Sequence, residues 1–465
     1  LTHGAPRGRG SPSPSGQLRA RRKDCDRKPN QTPRTTIVRG VSVAERSAQE
    51  QMPNPEAFPL DGPSRMRYRR RMPDDHATSA APPLTLVVEG WRRGTHSYAL
   101  VNQHQLLALS KVPGLSIRHH DLTAPDDSPG APSLFSVDAD DVLRSLPAPN
   151  PDEVCDVAYR IAAPFDLEPS PRARRTCIFL TSEHRYVPTS LMARDEPFAN
   201  AVARTSTHII TPSRWSRDGL VLAGADPSRV TIIPHGVDCT TFRPSSTKER
   251  QIWRRTYRVR EDSLTFLHVG AMTGNKGVQD LVRAFAIIAQ LLPNARLVLK
   301  GNDALYDSRR RLERLLDTFL DEASRQRVLP RLTYVGSRLT NHEMQALYGA
   351  ADIYVSPYSA EGFNMPVLEA VACGLPVVVT KGGPTDDFVP AGSGLFVASR
   401  LVAASEGLGE HLDPDFTSLV DAMGRAALDP AIRAQAATVG PPYAAATHSW
   451  DAVATAMADL FRKLA

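Results

Sequence analysis

Two glutamates, Glu361 and Glu369, stand eight positions apart in residues 359–380, which read S-A-E-G-F-N-M-P-V-L-E-A-V-A-C-G-L-P-V-V-V-T. Carboxylates at this spacing are common in a chain of this composition, so the pair is informative only through its setting. Residues 353–356 predict a strand, and a helix is expected to begin near Asn364, at the carboxyl end of that strand. The free N–H groups at such a helix start suit a phosphate, and the two carboxylates would reach hydroxyl groups on either side of it.

Three residues of the segment favour this arrangement for separate reasons. Gly362 is expected to allow a positive φ in the loop, Asn364 to cap the helix, and Pro366 to lie in its first turn. A solvated helix face preceded by a capping turn is the alternative interpretation.

A second candidate is residues 268–277, H-V-G-A-M-T-G-N-K-G, at a predicted strand-to-helix turn. Its glycines let the backbone approach a phosphate, and Lys276 would supply charge where a diphosphate leaves. The segment is not a Walker A loop, since Asn275 separates Gly274 from Lys276 and no Ser or Thr follows the lysine. It also lacks the dinucleotide pattern G-x-G-x-x-G. A surface lysine in an ordinary turn is the alternative.

Residues 359–380 closely resemble the E-x7-E signature of the retaining glycosyltransferases of family 4, which have the GT-B fold and belong to the glycosyl transferases group 1. The resemblance implies that Glu361 contacts the donor sugar and that Glu369 binds the ribose hydroxyls of the nucleotide. Donor contacts are also expected from residues just after Glu361, namely Gly362, Phe363, Asn364 and Met365.

Residues 268–277 resemble the G-R-x-x-x-x-K-G segment of the same family, and Lys276 matches the lysine that binds the donor diphosphate. The arginine of that segment is Ala271 here. Because two cations normally share the diphosphate charge, Arg92 or Arg93 is the candidate to compensate from across the cleft.

The resemblance extends to other loops. Residues 90–94, with Gly90 and Gly94, match in place a glycine loop that approaches the donor phosphate and the acceptor. His184 resembles a histidine that contacts the donor sugar, with a structural role at a strand end as its alternative. Gly336 and Ser337 fall where the backbone of the family contacts the base. Together with Glu361 and Lys276, His184 completes the expected catalytic set.

Residues 233–238, I-P-H-G-V-D, resemble the hinge segment P-N-G-V-D of the family. Gly236 is expected to serve a tight turn there, and any donor contact by His235 is secondary. The acidic pair of residues 386–387 is as suited to capping a helix as to binding a ligand.

The net charge of +6 is concentrated at one end of the chain. Residues 1–82 carry 16 basic and 8 acidic residues, whereas the rest of the chain carries 40 and 42. The folded part is therefore nearly neutral, which disfavours a nucleic acid partner. Residues 1–83 are rich in Pro, Arg, Ser and Gly and are expected to form a disordered basic tail. Weak association of this tail with an anionic membrane surface stays open.

Alternating strand and helix patterns over residues 84–243 and 262–448 predict an α/β fold with two Rossmann-like domains facing a cleft. In the first domain strands are expected at 84–90, 115–118, 154–160, 177–181 and 207–211. In the second they are expected at 264–270, 295–301, 332–336, 353–356, 376–380 and 395–398, with helices such as 278–290 and 308–323. The resemblance implies that residues 449–465 form a helix packing back on the first domain.

Metal chemistry is disfavoured by the placement of the acidic residues. Three D-x-D triplets occur, at 24–26, 138–140 and 413–415; in a GT-A glycosyltransferase such a motif would hold Mn²⁺. One lies in the expected tail and the others beside predicted helix starts, where Asp is a common cap. The H-H-D run at 119–121 is interpreted as a polar strand end. No metal and no cofactor is therefore expected.

The five cysteines are scattered without a C-x-x-C pair, which favours a reducing compartment. No apolar run approaches the length that spans a bilayer, and no signal-peptide pattern opens the chain. A cytoplasmic protein is expected, although the first residue is Leu and targeting stays open.

These patterns together predict a retaining glycosyltransferase that moves a hexose from a nucleoside diphosphate sugar to a glycan, lipid or small-molecule acceptor. In the family, the diphosphate itself is proposed to help deprotonate the acceptor. The alternatives are a sugar-nucleotide epimerase or phosphorylase on the same fold, or an inactive binding module, which Ala271 motivates. The base and sugar of the donor and the identity of the acceptor are not readable from the residues.

Overall fold

A computed structural model describes residues 82–94, 96–122, 134–404 and 409–465. The basic tail expected over residues 1–83 therefore lies outside the described residues, apart from its last two positions.

The first domain is a parallel six-stranded sheet in the order β2-β1-β3-β4-β5-β6. Its strands are β1 (Leu84–Gly90), β2 (Leu115–Asp121), β3 (Cys155–Ile161), β4 (Ala173–Phe179), β5 (His208–Thr211) and β6 (Val230–Ile232). Its helices are α1 (Ser97–Leu109), α2 (Val137–Ser145), α3 (Phe198–Arg204) and α4 (Arg214–Leu222).

The second domain follows α5 (Thr247–Thr256) and is also a parallel six-stranded sheet, in the order β12-β11-β10-β7-β8-β9. Its strands are β7 (Leu264–Val269), β8 (Ala295–Lys300), β9 (Leu332–Val335), β10 (Ile353–Ser356), β11 (Val377–Thr380) and β12 (Gly394–Val397). A separate antiparallel pair is formed by β13 (Ser399–Ala403) and β14 (Glu410–Pro414). The helices, in chain order, are α6 (Val278–Leu291), α7 (Asp303–Tyr306), α8 (Ser308–Phe319), α9 (Glu322–Val328), α10 (Asn341–Ala350), α11 (Met365–Ala372), α12 (Phe416–Leu428), α13 (Pro430–Thr447) and α14 (Trp450–Leu464).

Both sheets are covered by helices on their two faces, which explains the nearly continuous apolar runs in their strands. In the second sheet one face packs with α6 and α12 around Leu297 and Leu299. The other face packs with α10 and α11 around Val298 and Leu368. The predicted α/β fold with two Rossmann-like domains is confirmed.

The last helix, α14, returns to the first domain. Its residues Trp450, Val453, Met457 and Phe461 follow the spacing of one helix face and are all buried in the core of the first sheet. The chain crosses between domains beside the hinge, where Val237 N donates to His448 O at 2.8 Å. No helix among the described residues is long and apolar enough to cross a bilayer.

Several element boundaries differ from the sequence expectation. The second strand runs on through His119 and His120 to Asp121, because these residues pair with the end of β1. The helix expected over residues 308–323 ends at Phe319, and α9 begins separately with Asp321 as its cap. The β13–β14 hairpin was not expected at all.

Candidate functional site

The candidate site lies where the carboxyl-terminal edges of the two sheets meet. Loops that follow β4 and β5 contact the loops that follow β10 and β11. Ser213 Oγ, at the start of α4, donates to Gly362 O at 2.7 Å. Arg214 donates from its backbone and its side chain to Asp387, both at 2.7 Å. The two domains are therefore in direct contact around the predicted E-x7-E segment.

Lys276 and Glu361 are brought together by two loops of the second domain. The turn after β7 is tied to the loop after β10 because Asn275 O accepts from Ser359 N at 2.8 Å and Asn275 Nδ2 donates to Ala360 O at 3.1 Å. As a result Lys276 Nζ lies 2.5 Å from Glu361 Oε1. The side chain of Glu361 is 8 % exposed and that of Lys276 21 % exposed, so the pair is largely buried.

The charges around this pair show an excess of negative groups. Burial raises the pKa of Glu361 above its ordinary value, and the Lys276 ammonium offsets only part of that effect. Burial acts to lower the pKa of Lys276, but the Glu361 and Glu183 carboxylates outweigh it and the pKa lies above its ordinary value. Glu183, from the first domain, raises the pKa of both groups. Lys276 thus keeps its positive charge, which the Glu361 carboxylate neutralises in this structure.

The helix start after Glu361 is built differently from the expectation. Asn364 does stand at the N-terminus of α11, but it caps no backbone N–H with its side chain; its Nδ2 donates to Ser356 Oγ at 3.0 Å. Asn364 itself has a φ of 78°, whereas Gly362 does not have a positive φ. A Cβ at position 362 would lie 3.0 Å from Thr181 Cβ, across the domain boundary, so glycine avoids a tight contact between the domains.

Two other residues with predicted donor contacts, Phe363 and Met365, lie on either side of Asn364. Phe363 is buried between Phe388, with ring centroids 4.5 Å apart, and His235, at 5.0 Å. Met365 packs against apolar residues of both domains. Their side chains thus join the domains, and the donor contacts predicted for the two residues stay predictions.

Glu369 lies on α11 and is partly exposed. Its carboxylate accepts a hydrogen bond from Tyr348 of α10. Tyr348 OH donates to Glu369 Oε2 at 2.6 Å and to Pro366 O at 3.2 Å. Burial raises the pKa of Glu369 to about 7, and the Tyr348 hydrogen bond lowers it in part. The carboxylate therefore changes its charge near neutral pH.

The first-domain residues occupy three positions around the cleft. Gly90 lets the backbone pass Asn102 and Ile161, since a Cβ would lie within 3 Å of both side chains. Gly94 has a φ of 119°, in the region that favours glycine. His184 is exposed, and its carbonyl accepts from Glu410 N at 2.7 Å.

Arg92 is engaged within its own domain. Its guanidinium lies 3.4 Å from Asp121 and donates to His119 Nδ1 and to the carbonyl of Arg144. The compensation expected for Ala271 is therefore not provided by Arg92 in this conformation. Arg93 is exposed.

Gly336 and Ser337 follow β9, on the side of the sheet away from the domain contact. Gly336 O accepts from Asp303 N at 3.0 Å, and a Cβ at 336 would collide with the Asp303 carboxylate. Ser337 is exposed. In the hinge, Gly236 has no positive φ; glycine is needed because Trp450 packs against its Cα, so the expected tight turn is not its reason. His235 is buried between aromatic rings.

The acidic motifs serve local structure. Asp138 and Asp140 lie in the first turn of α2, which Ser136 caps. Asp415 caps α12, whereas Asp413 is bound by Arg400. Within the described residues no group of three or more His, Cys, Asp or Glu side chains is placed to hold a metal ion.

The β13–β14 hairpin reaches across the cleft. Besides the bond from Glu410 N to His184 O, Glu410 Oε2 accepts from Arg185 Nε at 2.7 Å. Gly409 has a φ of 91° and a Cβ there would collide with His184 O. A separate cavity of about 760 Å³ lies between α1, the hinge and the start of α10, and none of the predicted site residues lines it.

Sequence reasoning missed three of these participants. Glu183 immediately precedes His184 in the chain, Tyr348 lies 21 residues from the carboxylate that it binds, and Glu410 lies in the unexpected hairpin. A carboxylate beside a predicted site histidine is the one signal that was available.

Comparison with known proteins agrees with this geometry. Residues 249–412 match the family model described as glycosyl transferases group 1. A D-inositol 3-phosphate glycosyltransferase of Pseudarthrobacter chlorophenolicus is 33 % identical over 269 residues, which is 58 % of this chain and 56 % of that protein. A glycogen synthase of Mycobacterium tuberculosis is 27 % identical over 262 residues, which is 56 % of this chain and 55 % of that protein. The chain thus spans about half the length of the curated relatives it matches.

Solved structures match over a larger part of the chain. HepE of Anabaena, in complex with UDP and glucose, has a TM-score of 0.58 at 15 % identity and covers 82 % of this chain and 100 % of its own. Sucrose-phosphate synthase of Thermosynechococcus elongatus has a TM-score of 0.56 at 20 % identity, covering 83 % and 99 %. At these identities the likeness concerns the fold.

The two facing Rossmann-like domains define a protein of the GT-B class. Within that fold, the residues that match the family model of the glycosyl transferases group 1 include Lys276, Glu361 and Glu369.

Proposed function

We propose that the protein is a retaining glycosyltransferase that transfers a hexose from a nucleoside diphosphate sugar to an acceptor hydroxyl group. The observation that carries the proposal is the buried contact between Lys276 and Glu361 beside the start of α11. A cation, a helix N-terminus and a carboxylate then meet at one point of an interdomain cleft, which suits a sugar diphosphate.

In this proposal the groups act at different atoms of the donor. Lys276 and the start of α11 bind the diphosphate and stabilise the charge that develops when its bond to the sugar C1 breaks. Glu361 binds hydroxyl groups of the sugar, and Glu369 binds the ribose. His184 contacts the donor sugar.

The bond from the acceptor oxygen to C1 forms as the bond to the diphosphate breaks, and the acceptor proton moves to a diphosphate oxygen. Because the leaving group takes that proton, the site does not need the paired carboxylates of a retaining glycosidase. Lys276 also supplies charge that a metal ion would otherwise bring, so a metal-independent reaction is proposed.

An epimerase or phosphorylase on the same scaffold is the second candidate, since it would use the same diphosphate-binding groups. The two candidate functions differ in the substrates that they require. A transferase needs an acceptor and releases nucleoside diphosphate, whereas an epimerase converts the donor alone and a phosphorylase needs inorganic phosphate.

The test is a turnover assay of the full chain with UDP-, GDP- and ADP-linked glucose and mannose, with and without EDTA, over a panel of glycan, inositol phosphate and lipid acceptors. We expect acceptor-dependent release of one nucleoside diphosphate, unaffected by EDTA, and a product with the anomeric configuration of the donor in proton NMR. Lys276→Met should abolish the release, while Lys248→Met, at an exposed lysine of α5, should not. Conversion of the donor without acceptor, or an inverted product, would contradict the proposal.

A further inference from the structure

Lys300 is a buried lysine for which the donor site described above has no use. It is the last residue of β8, and only 7 % of it is exposed. In β8 the side chains of Leu297 and Leu299 pack on the face with α6, whereas Val298 packs on the face with α11. Because side chains alternate along a strand, Lys300 points to the same face as Val298. It therefore lies on the sheet face that α11, the helix of Glu369, covers.

Strand pairing fixes where along that face Lys300 lies. It is in register with Val269 of β7 on one side and with Val335 of β9 on the other. The first of these strands leads directly into the turn of Lys276, and Gly270 N donates to Lys300 O at 3.0 Å. The second leads into Gly336 and Ser337. Lys300 thus stands at the carboxyl edge of the sheet, between the predicted diphosphate and base contacts.

The ammonium of Lys300 has no anionic partner among residues 82–94, 96–122, 134–404 and 409–465. Within the described part of the chain no carboxylate lies within ion-pair distance of it, and its Nζ donates to the carbonyl of Gly301. Asp303 is the charged group that acts on it, but the Asp303 carboxylate is bound by the Tyr334 hydroxyl group and by Arg309.

The charged groups of the proposed donor site are also paired, Lys276 with Glu361 and Glu369 with the Tyr348 hydroxyl group. Burial lowers the pKa of Lys300 to about 8, and Asp303 opposes this in part. A buried cation without an anion is costly, so its retention at a ligand-binding edge points to a ligand that supplies the charge.

We propose that Lys300 is a second cationic ligand of the bound nucleotide and binds the phosphate group next to the ribose. The inference rests on the proposed function, because it requires a nucleoside diphosphate in this cleft. Lys276 would then hold the phosphate next to the sugar. Ala271, which follows Gly270, contributes no charge, so the two lysines on adjacent strands share the diphosphate.

The first experiment is calorimetric titration of the full chain and of the variants Lys300→Met and Lys248→Met with UDP, GDP and ADP. Methionine keeps the length and the apolar stem of the lysine, and Lys248 is exposed. We expect Lys300→Met to weaken all nucleotides that bind the parent protein by the same factor, about tenfold or more, since a charge-assisted hydrogen bond is lost. Lys248→Met should bind as the parent protein does.

Two further readouts separate a ligand-binding role from a structural one. Lys300→Met should raise the melting temperature at pH 7, since it removes an unpaired buried charge, and the gain should shrink as the pH rises from about 8 to the ordinary lysine pKa of 10.5. Nucleotide affinity of the parent protein should fall roughly tenfold from pH 7.5 to 9.5, relative to Lys300→Met, because only the charged lysine binds phosphate.

The outcomes are distinct. A uniform loss of affinity with a raised melting temperature supports the proposal. A loss confined to UDP and GDP would show that Lys300 reads a base carbonyl, and unchanged affinity would show that it binds no part of the nucleotide; either result overturns the proposal. If the parent protein binds none of the three nucleotides, the proposed function itself is wrong and the role of Lys300 falls with it.

Discussion

Lys276 Nζ and Glu361 Oε1 lie 2.5 Å apart although the two residues are 85 positions apart in the chain. The contact exists because β7 and β10 are neighbours in the sheet and the loops that follow them are joined by Asn275. In the unliganded protein, the Glu361 carboxylate is therefore bound to Lys276, the cation that we propose binds the donor diphosphate. If the protein acts as proposed, donor binding replaces this carboxylate by a phosphate and leaves Glu361 free for the sugar.

This competition predicts opposite effects on binding and on turnover for Glu361→Gln. The amide no longer competes for Lys276, so nucleoside diphosphate affinity should stay equal or rise, by up to about tenfold or ~1.4 kcal/mol. Turnover should fall roughly 100-fold, because the charged contact to the sugar is lost. Calorimetry with the nucleoside diphosphate and a turnover assay measure the two effects.

Lys276→Met is the matched variant on the other side of the pair. It should lower both nucleotide affinity, by about 1.5–3 kcal/mol, and turnover. A Glu361→Gln protein that loses nucleotide affinity as strongly as Lys276→Met would contradict the competition between carboxylate and phosphate.

Glu369 predicts a pH dependence of nucleotide binding. Its pKa of about 7 lies above the ordinary value, so the carboxylate that accepts from ribose forms as the pH rises through 7. Affinity of the parent protein relative to Glu369→Gln should increase by up to about tenfold between pH 6 and pH 8. Tyr348→Phe removes a hydrogen bond that lowers the pKa of Glu369. In this variant the midpoint of the pH-dependent rise in nucleotide affinity should therefore lie at higher pH.

The same group provides a check on folding. Because its folded-state pKa is raised, Glu369 stabilises the native state fully only below its ordinary pKa, and this contribution is lost as the pH rises through 7. Glu369→Gln should therefore melt at a higher temperature than the parent protein at pH 8 and at a similar one at pH 4. In the binding experiment, a difference in nucleotide affinity between the parent protein and Glu369→Gln that does not change with pH would reject the proposed ribose contact of Glu369.

The sequence was informative wherever a local rule fixed the geometry. The strand ends that carry Lys276 and Glu361 were predictable, since apolar runs ending in glycine or polar loops mark parallel strands. Their contact was not, because the adjacency of β7 and β10 depends on the strand order of the whole sheet. The hairpin escaped prediction because its strands are short and its apolar residue Leu401 is 48 % exposed, which leaves no alternating pattern.

Backbone conformation set a second limit. Gly362 was expected to need a positive φ, but the residue with the positive φ is Asn364. At position 362 the close approach of Thr181 leaves little room for a side chain. A close contact with the other domain cannot be predicted from the residues adjacent in the chain. The functional side chains were thus more predictable than the reasons for the glycines between them.

Gly277 supports the position of Lys276 and predicts a loss of stability. It has a φ of 67°, and a Cβ there would lie 1.9 Å from Pro357 O. Gly277→Ala should reduce the free energy of unfolding by at least about 2 kcal/mol through backbone strain and this collision, and should weaken nucleotide binding by moving Lys276. Gly274→Ala is the control in the same turn, since nothing lies within 4 Å of its Cβ position and its φ is not positive. Equal melting temperatures of the two variants would show that the turn rearranges freely.

The β13–β14 hairpin predicts an effect on domain closure. Arg185 and Glu410 join the first domain to the hairpin, with side chains 21 % and 30 % exposed, and Arg185 also lies over the Trp215 ring at 5.2 Å. An ion pair of this exposure contributes about 0.5–1 kcal/mol, so Glu410→Gln should lower the ratio of closed to open protein about two- to fivefold.

The expected readouts are a larger radius of gyration in small-angle X-ray scattering and a donor KM raised by the same factor, with little change in kcat. Asp413→Asn is the matched control, because Asp413 pairs with Arg400 inside the hairpin and does not cross the cleft. The double variant Arg185→Gln/Glu410→Gln should have the same donor KM as Glu410→Gln alone, since both changes break the same contact between the domains. Additive effects of the two substitutions, or an equal rise in KM for Asp413→Asn, would show that the hairpin acts on the donor site by a route other than this contact between domains.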